Sequence, residues 1–232
     1  MARRKKGGVS WELVGIVAIL GIFVVGGIYW VAQSGSGGDA LVAPMYFAVD
    51  PDSPIETGST DDGRPYMGQA DAPVTIYEFA DFQCPHCRDY SRGAGEEVKR
   101  DLIESGKARL VWVNFPILGD ESVQAAKAAL CAHEQDQFWT FHDWLFANQS
   151  VQRNSGAFSE ERLLQIAALI DGLDAAEFET CMSDSAIAER VQADQAMGTE
   201  NAVSQTPSFL VGDQVVGGSL SEITQAVTAA GG

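Results

Sequence analysis

Positive charge is scarce in this chain: 15 Lys and Arg residues stand against 32 Asp and Glu. Four of the basic residues (Arg3, Arg4, Lys5, Lys6) and one acidic residue (Glu12) fall in the first 12 positions, so the rest carries 11 basic against 31 acidic residues, a net −20. Such a surface repels phosphate backbones and anionic headgroups, which excludes nucleic acid as a partner. Cysteine is scarce too, with four in 232 residues. Zinc needs four ligands at matched spacing, whereas Cys131 and Cys181 lie far apart and His133 and His142 form no tight ligand pair. No metal and no other cofactor is expected. Internal repeats are absent, and there is a single long apolar run. The length suits one membrane span and one substantial core of about 165 residues.

That run covers residues 13–32, and about 20 apolar residues suffice to cross a bilayer. The basic residues before it predict a cytoplasmic N-terminus (1–12) and an exported remainder, with Trp11, Tyr29 and Trp30 at the two interfaces. A cleaved signal peptide is the rival, but its apolar core would be shorter, and Ala32 after Trp30-Val31 makes a poor cleavage site. The expectation is a single-pass anchor in the plasma membrane with the domain that follows on the extracytoplasmic side. Residues 33–67 read as a flexible tether, beginning Ser34-Gly35-Ser36-Gly37-Gly38. At about 35 residues it would reach on the order of 30 Å. Within it, residues 41–49 are apolar enough to form a short strand or to dock on the domain, which is placed at 68–232.

The most informative motif is Cys84-Pro85-His86-Cys87, which follows the β-branched, apolar run at residues 74–79 and precedes a helical stretch expected to reach about Ser105. Pro85 suits a first helical turn, where its missing N–H costs nothing. Cys84 then sits at the positive end of the helix dipole, which favours its thiolate, and His86 can add a positive charge or an N–H donor. Cys87, one turn in, is the less exposed thiol. Cys84 is therefore the expected nucleophile and Cys87 the resolving thiol. A structural disulfide or half of a zinc site is the alternative. A second element, Thr206-Pro207 leading into Ser208-Phe209-Leu210-Val211, fits a cis-Pro turn before a strand, or an ordinary trans Pro opening one.

With both elements in view, the chain resembles the DsbA-like branch of the thioredoxin-fold thiol oxidoreductases. The resemblance rests on Ala72-Pro73-Val74 through Glu78-Phe79, on Phe82-Gln83-Cys84-Pro85-His86-Cys87 and on Thr206-Pro207-Ser208-Phe209, and extends from about Gly68 to the C-terminus. It implies an α/β thioredoxin fold with an inserted helical subdomain at about 120–202, here preceded by one transmembrane helix. It implies that Cys84 attacks, that His86 stabilises its thiolate, and that Thr206 and Pro207 present backbone to the substrate. Glu78 matches a buried acid of the family able to relay a proton for Cys87, although strand alternation could instead turn it to solvent. The implied activity is the introduction of disulfides into exported proteins by a monomer reoxidised by a quinone-linked membrane partner. Thr206 leaves a reductase or isomerase open. A non-catalytic metal-binding or docking domain is the rival of another class, with no ligand set to support it.

In the insertion, Asp120 is expected to cap one helix and Ser159 another, with further helices opening at Asp174 and Ser185 and a last one at residues 221–230. The aromatic run Phe138, Trp139, Phe141, Trp144 and Phe146 reads as core. His133 and His142 read as ordinary helix residues. Some DsbA-like relatives carry a second bridge here, and an oxidising compartment favours pairing Cys131 with Cys181 over two buried free thiols. Closing such a loop stabilises by up to about 4 kcal/mol in the chain-entropy view. Asn148-Gln149-Ser150 fits the N-glycosylation pattern.

Overall fold

Residues 40–50 and 53–232 are described by the computed structural model, and their strands form one sheet. These are β1 (Thr57–Ser59), β2 (Pro65–Met67), β3 (Val74–Ala80), β4 (Ala108–Asn114), β5 (Ser208–Val211) and β6 (Gln214–Val216), in spatial order β1-β2-β4-β3-β5-β6. Only β3 and β4 run parallel, Val74 opposite Ala108 through Ala80 opposite Asn114. A parallel pair needs a crossover, supplied by α1 (Pro85–Ser91), α2 (Ala94–Val98) and a π-helical turn at Lys99–Ile103. The single helix expected to reach Ser105 is thus broken, with Gly93 in a non-helical conformation between α1 and α2.

β3 lies between β4 and β5 and reads as a near-continuous apolar run because both its faces are covered. Ile76 and Ala80 enter the main core, while Phe79 joins Val113, Phe115, Val203 and Leu210 in a smaller cluster on the other face. By the two-residue period of a strand, Glu78 falls on the face of Ile76 and Ala80.

Between β4 and β5 the chain folds α3 (Asp120–His133), α4 (Phe138–Ala147), α5 (Glu160–Ala167), α6 (Ala175–Met182) and α7 (Ser185–Glu200), and α8 (Leu220–Ala229) ends the fold. Asp174 caps α6 through the N–H groups of Ala176 and Glu177, at 2.8 and 3.1 Å. Asp120 does not cap α3. It is the first helical residue, preceded by Gly119 at φ 124°, where a Cβ would strike the Asn154 side chain. Ser159 holds its cap position without a side-chain hydrogen bond. Cys131 of α3 and Cys181 of α6 are joined in a disulfide, with Cα atoms 5.7 Å apart. Asp194 on α7 is buried, accepts from Arg64 Nε at 2.7 Å and takes both the backbone and side-chain N–H of Asn114 at 3.0 Å, so the insertion is tied to the end of β4.

The tether expectation needs correcting. Leu41–Gly232 is one compact unit, and β1 and β2 extend the sheet within the stretch read as linker. Their three-residue lengths carry no period that a sequence could show. Residues 41–49 dock without forming a strand: Leu41, Ala48 and Val49 pack on the core, Val42 exchanges two 2.8 Å hydrogen bonds with the Asn148 amide, and Ala48 N–H donates to Asp143 at 2.9 Å. The basic N-terminus and the span expected at 13–32 lie outside the described residues. Among the described residues, no helix is long and apolar enough to cross a membrane.

Candidate active site

The C-terminal end of β3 delivers the chain to its reactive turn. Cys84 takes the extended N-cap position of α1 (φ −81°, ψ 115°), and Pro85 follows as the first helical residue. The Cys84 carbonyl accepts from the N–H groups of Cys87 and Arg88 at 3.1 and 3.2 Å, which starts the helix. Both thiols are free; Cys84 is 4 % exposed and Cys87 is fully buried. The sheet brings the distant second motif alongside: Phe79 pairs with Ser208, the Thr206–Pro207 peptide is cis, and the Cys84 thiol donates to the Thr206 carbonyl at 3.3 Å.

The two sulfurs differ electrostatically. Cys84 is drawn down from an ordinary 9.0 to about 5, first by the hydrogen bond from the Cys87 thiol, then by Thr206 and by the backbone N–H groups of Cys87 and His86, all working against burial. Cys87 is pushed well above its ordinary value, mainly by burial and then by the hydrogen bond and charge it shares with Cys84. The neutral Cys84 thiol thus has an acceptor in the Thr206 carbonyl, while its thiolate has a set of donors. The His86 imidazole is exposed, and it is the His86 backbone that points to the sulfur.

Glu78 is only 5 % exposed, and burial raises its carboxyl from 4.5 to about 8, so it is mostly neutral at pH 7. Of the two orientations open from sequence, the structure adopts the buried one.

Several residues that shape the turn escape sequence reasoning. Asp81 accepts from Gln83 N–H through one oxygen at 2.8 Å, and through the other from Ile117 and Leu118 N–H at 2.8 and 3.0 Å. The Gln149 amide donates to the carbonyls of Phe82 and Cys84 at 2.7 and 2.9 Å. Gln83 reaches Ser122 and Asn154. Only the Asp81–Gln83 contact is local; the others join distant positions, Gln149 lying 65 from Cys84. Beneath the turn, Phe82 stacks on Trp112 at 4.9 Å, and His142 stands edge-on to Trp112 and Phe146 with its Nδ1 bonded to Asp143 at 2.8 Å. The helical aromatic run is core, as its spacing indicates, and His142 is a polar group set inside it. His133 instead contacts Ser59 at 3.1 Å. Among the described residues, no group of three or more His, Cys, Asp or Glu is placed to hold a metal ion.

A nucleophilic thiol, a shielded partner thiol, a neutral buried acid and a carbonyl on a neighbouring loop that accepts from the first thiol make a site for thiol–disulfide exchange. Comparisons agree with that chemistry. The sequence family described as Thioredoxin matches residues 60–228. A Bacillus anthracis protein described as a probable disulfide bond formation protein D is 30 % identical over 164 residues, spanning 69 % of this chain and 75 % of that protein. The crystal structure of oxidised BdbD from Bacillus subtilis superposes with a TM-score of 0.67 at 25 % identity, covering 76 % of this chain and 97 % of that one. The thiol-disulfide exchange protein alpha-DsbA2 of Wolbachia pipientis gives 0.59 at 26 % identity, over 72 % of this chain and 86 % of that one.

Proposed function

Because the chain belongs to the thioredoxin family and is a thiol:disulfide oxidoreductase with DsbA-like relatives, we propose that it works as an oxidase, passing the Cys84–Cys87 disulfide to exported proteins. The observation that carries this direction is the contrast between a Cys84 thiol at about 5 and a Cys87 thiol far above it. A stabilised thiolate favours the reduced enzyme, and a favoured reduced state makes the disulfide a stronger oxidant.

A substrate thiolate attacks Cys84 Sγ, the Cys84–Cys87 bond breaks, and the electron pair departs on Cys87 Sγ. Glu78, neutral at pH 7, gives Cys87 its proton. The second substrate thiolate then attacks the first substrate sulfur in the mixed disulfide, forming the substrate disulfide and releasing Cys84 as a thiolate, so two electrons pass from substrate to enzyme. The Thr206 carbonyl, beside Cys84 in the loop before β5, holds the substrate backbone in this reading. A quinone-linked membrane protein takes the electrons away. The apolar run at residues 13–32, with its basic flank, supports a monomer anchored in the plasma membrane with its domain outside the cytoplasm.

The reduction potential of the Cys84–Cys87 pair, together with trapping of mixed disulfides by Cys87→Ser, tests this reading. A potential near the strongly reducing end of the superfamily would reject it. Thr206 favours the second reading, a reductase or isomerase. That reading gains the field if the protein refolds a scrambled substrate faster than it oxidises a reduced one.

A further inference from the structure

Eight large apolar side chains stand exposed among the described residues, and four of them fall within six positions of the docked segment. They are Val42 at 54 %, Met45 at 84 %, Tyr46 at 52 % and Phe47 at 39 %. The segment that carries them is pinned along its length. Leu41, Ala48 and Val49 pack on the core, the Asn148 amide holds Val42, the Phe47 carbonyl accepts from Lys99 Nζ at 3.2 Å, and Asp143 accepts from the Ala48 N–H. A chain fixed at both ends thus turns a cluster of apolar side chains outward, where each keeps its surface in water. Single exposed apolar residues are ordinary, whereas a contiguous cluster marks a surface made for contact.

We propose that this patch is a membrane-contact surface, seated in the interfacial layer of the bilayer that residues 13–32 cross. The proposal rests on the reading of those residues as an anchor. Eight residues, 33–40, separate the end of the apolar run from Leu41, and a chain of that length spans at most about 30 Å. Whatever path those residues take, the patch lies no farther than that from the end of the span. A patch of four side chains binds a membrane weakly by itself. The covalent link makes the contact intramolecular, with an effective concentration on the order of millimolar, so weak contacts suffice.

The composition of the patch and its flanks suit that surface. Tyrosine favours the layer between acyl chains and headgroups, where its ring is covered and its hydroxyl stays wet. Two cations stand behind the apolar tip in a domain that has few. Exposed Arg92 lies over the Tyr46 ring, 5.5 Å from its centre, and donates to the Phe146 carbonyl at 3.0 Å, with no carboxylate partner among the described residues. Lys99 holds the Phe47 carbonyl and also pairs with Glu96 at 2.8 Å. Apolar side chains in front and basic groups behind repeat the order of a lipid leaflet, acyl chains beneath phosphates. The other acid at the patch, Asp143, is buried and engaged by His142 and Ala48. The acidic remainder of the surface is repelled by anionic headgroups, which confines the contact to this patch. Cys84 begins α1 and Arg92 closes it, about 12 Å apart along the helix axis, so a seated patch keeps the reactive turn close to the bilayer.

Photolabelling of the full chain in phosphatidylcholine vesicles tests this. One preparation contains a lipid with a diazirine at its headgroup, a second a lipid with the diazirine in its acyl chain, and labelled peptides are mapped by mass spectrometry. The headgroup probe should label residues 42–47 about tenfold more than the exposed controls Val151 and Leu169, and the acyl-chain probe should label residues 13–32. Met45→Asp combined with Phe47→Asp should bring labelling of 42–47 down to the control level, with the unfolding midpoint and the potential of the Cys84–Cys87 pair unchanged. Labelling of 42–47 no higher than at the controls in the wild-type chain overturns the proposal, and so does a cross-link that shows a second copy covering the patch. If residues 13–32 are labelled and 42–47 are not, the patch loses its role and the anchor keeps its own. If residues 13–32 escape the acyl-chain probe, the anchor reading falls and the patch falls with it.

Discussion

The two cysteine pairs of this chain differ in nearly everything but their element. Cys84 and Cys87 stand three positions apart at the start of one helix, while Cys131 and Cys181 stand 50 apart on two helices. In the chain-entropy view the short loop stabilises by about 2 kcal/mol and the long one by about 4. The larger contrast is in the reduced state. Cys84 has hydrogen-bond donors that welcome its negative charge, whereas Cys131 is fully buried in an apolar helix face. Lability therefore belongs to the surroundings that greet the thiolate, and permanence to the length of chain that the bridge encloses.

The sharpest way to break this comparison is to remove one sulfur at a time. Cys84→Ser should abolish exchange outright, and Cys87→Ser should accumulate mixed disulfides seen by non-reducing gel and mass spectrometry. Residual turnover in Cys84→Ser would transfer the nucleophile's role elsewhere. Next in size, replacing Cys131 and Cys181 together by Ala should lower the unfolding free energy by up to about 4 kcal/mol in urea while leaving the potential of the Cys84–Cys87 pair where it was. A matching change in potential would show that the pairs are coupled.

Acidity offers a third test, smaller in size. Folded Glu78 keeps a proton that the unfolded chain loses between its ordinary 4.5 and about 8, so this group costs stability as pH rises through that window. Cys84 in the dithiol has the opposite sign: the folded protein has released a proton that the unfolded chain holds between about 5 and 9.0, so stability grows with pH. The disulfide form retains only the first effect. From pH 5 to 8 the oxidised protein should therefore lose stability relative to the reduced one by roughly a few kcal/mol, read from urea unfolding of each form. Glu78→Gln should flatten the oxidised curve, and parallel curves for the two redox forms would contradict the assignments. Last, His86→Tyr should raise the Cys84 titration midpoint and lower the potential, by about 30 mV for every tenfold loss of Cys84 acidity. The effect should be modest because the imidazole is exposed and the backbone supplies the nearer donor.

The parts of this molecule that a sequence exposes are those with a local grammar. The β-branched run of β3, a proline after the first cysteine, a proline before Ser208, and the helical spacing of Leu163, Ile166 and Ala167 each state their own structure. Glu78 could be placed on a face by alternation, but its neutral state depends on what covers that face. Gln149 and the contacts of Asp81 with Ile117 and Leu118 are silent because they join groups the fold brings together from elsewhere. Residues 41–49 likewise show composition alone, and their docking depends on the Asn148 amide 106 positions from Val42.

The pairing of β3 with β5 has a consequence for the order in which the chain becomes competent. Ile76 finds Val211, and Cys84 finds the Thr206 carbonyl, 122 residues further along. A nascent chain that has emerged through the motif, and even through the whole crossover to β4, still lacks the strand that flanks the motif and the loop that meets its sulfur. Such non-local contacts form only after the intervening loop is closed. An incomplete polypeptide thus displays the Cys84–Cys87 pair without the Thr206 carbonyl and the strand β5 beside it, and the turn is completed only when almost all of the domain has arrived.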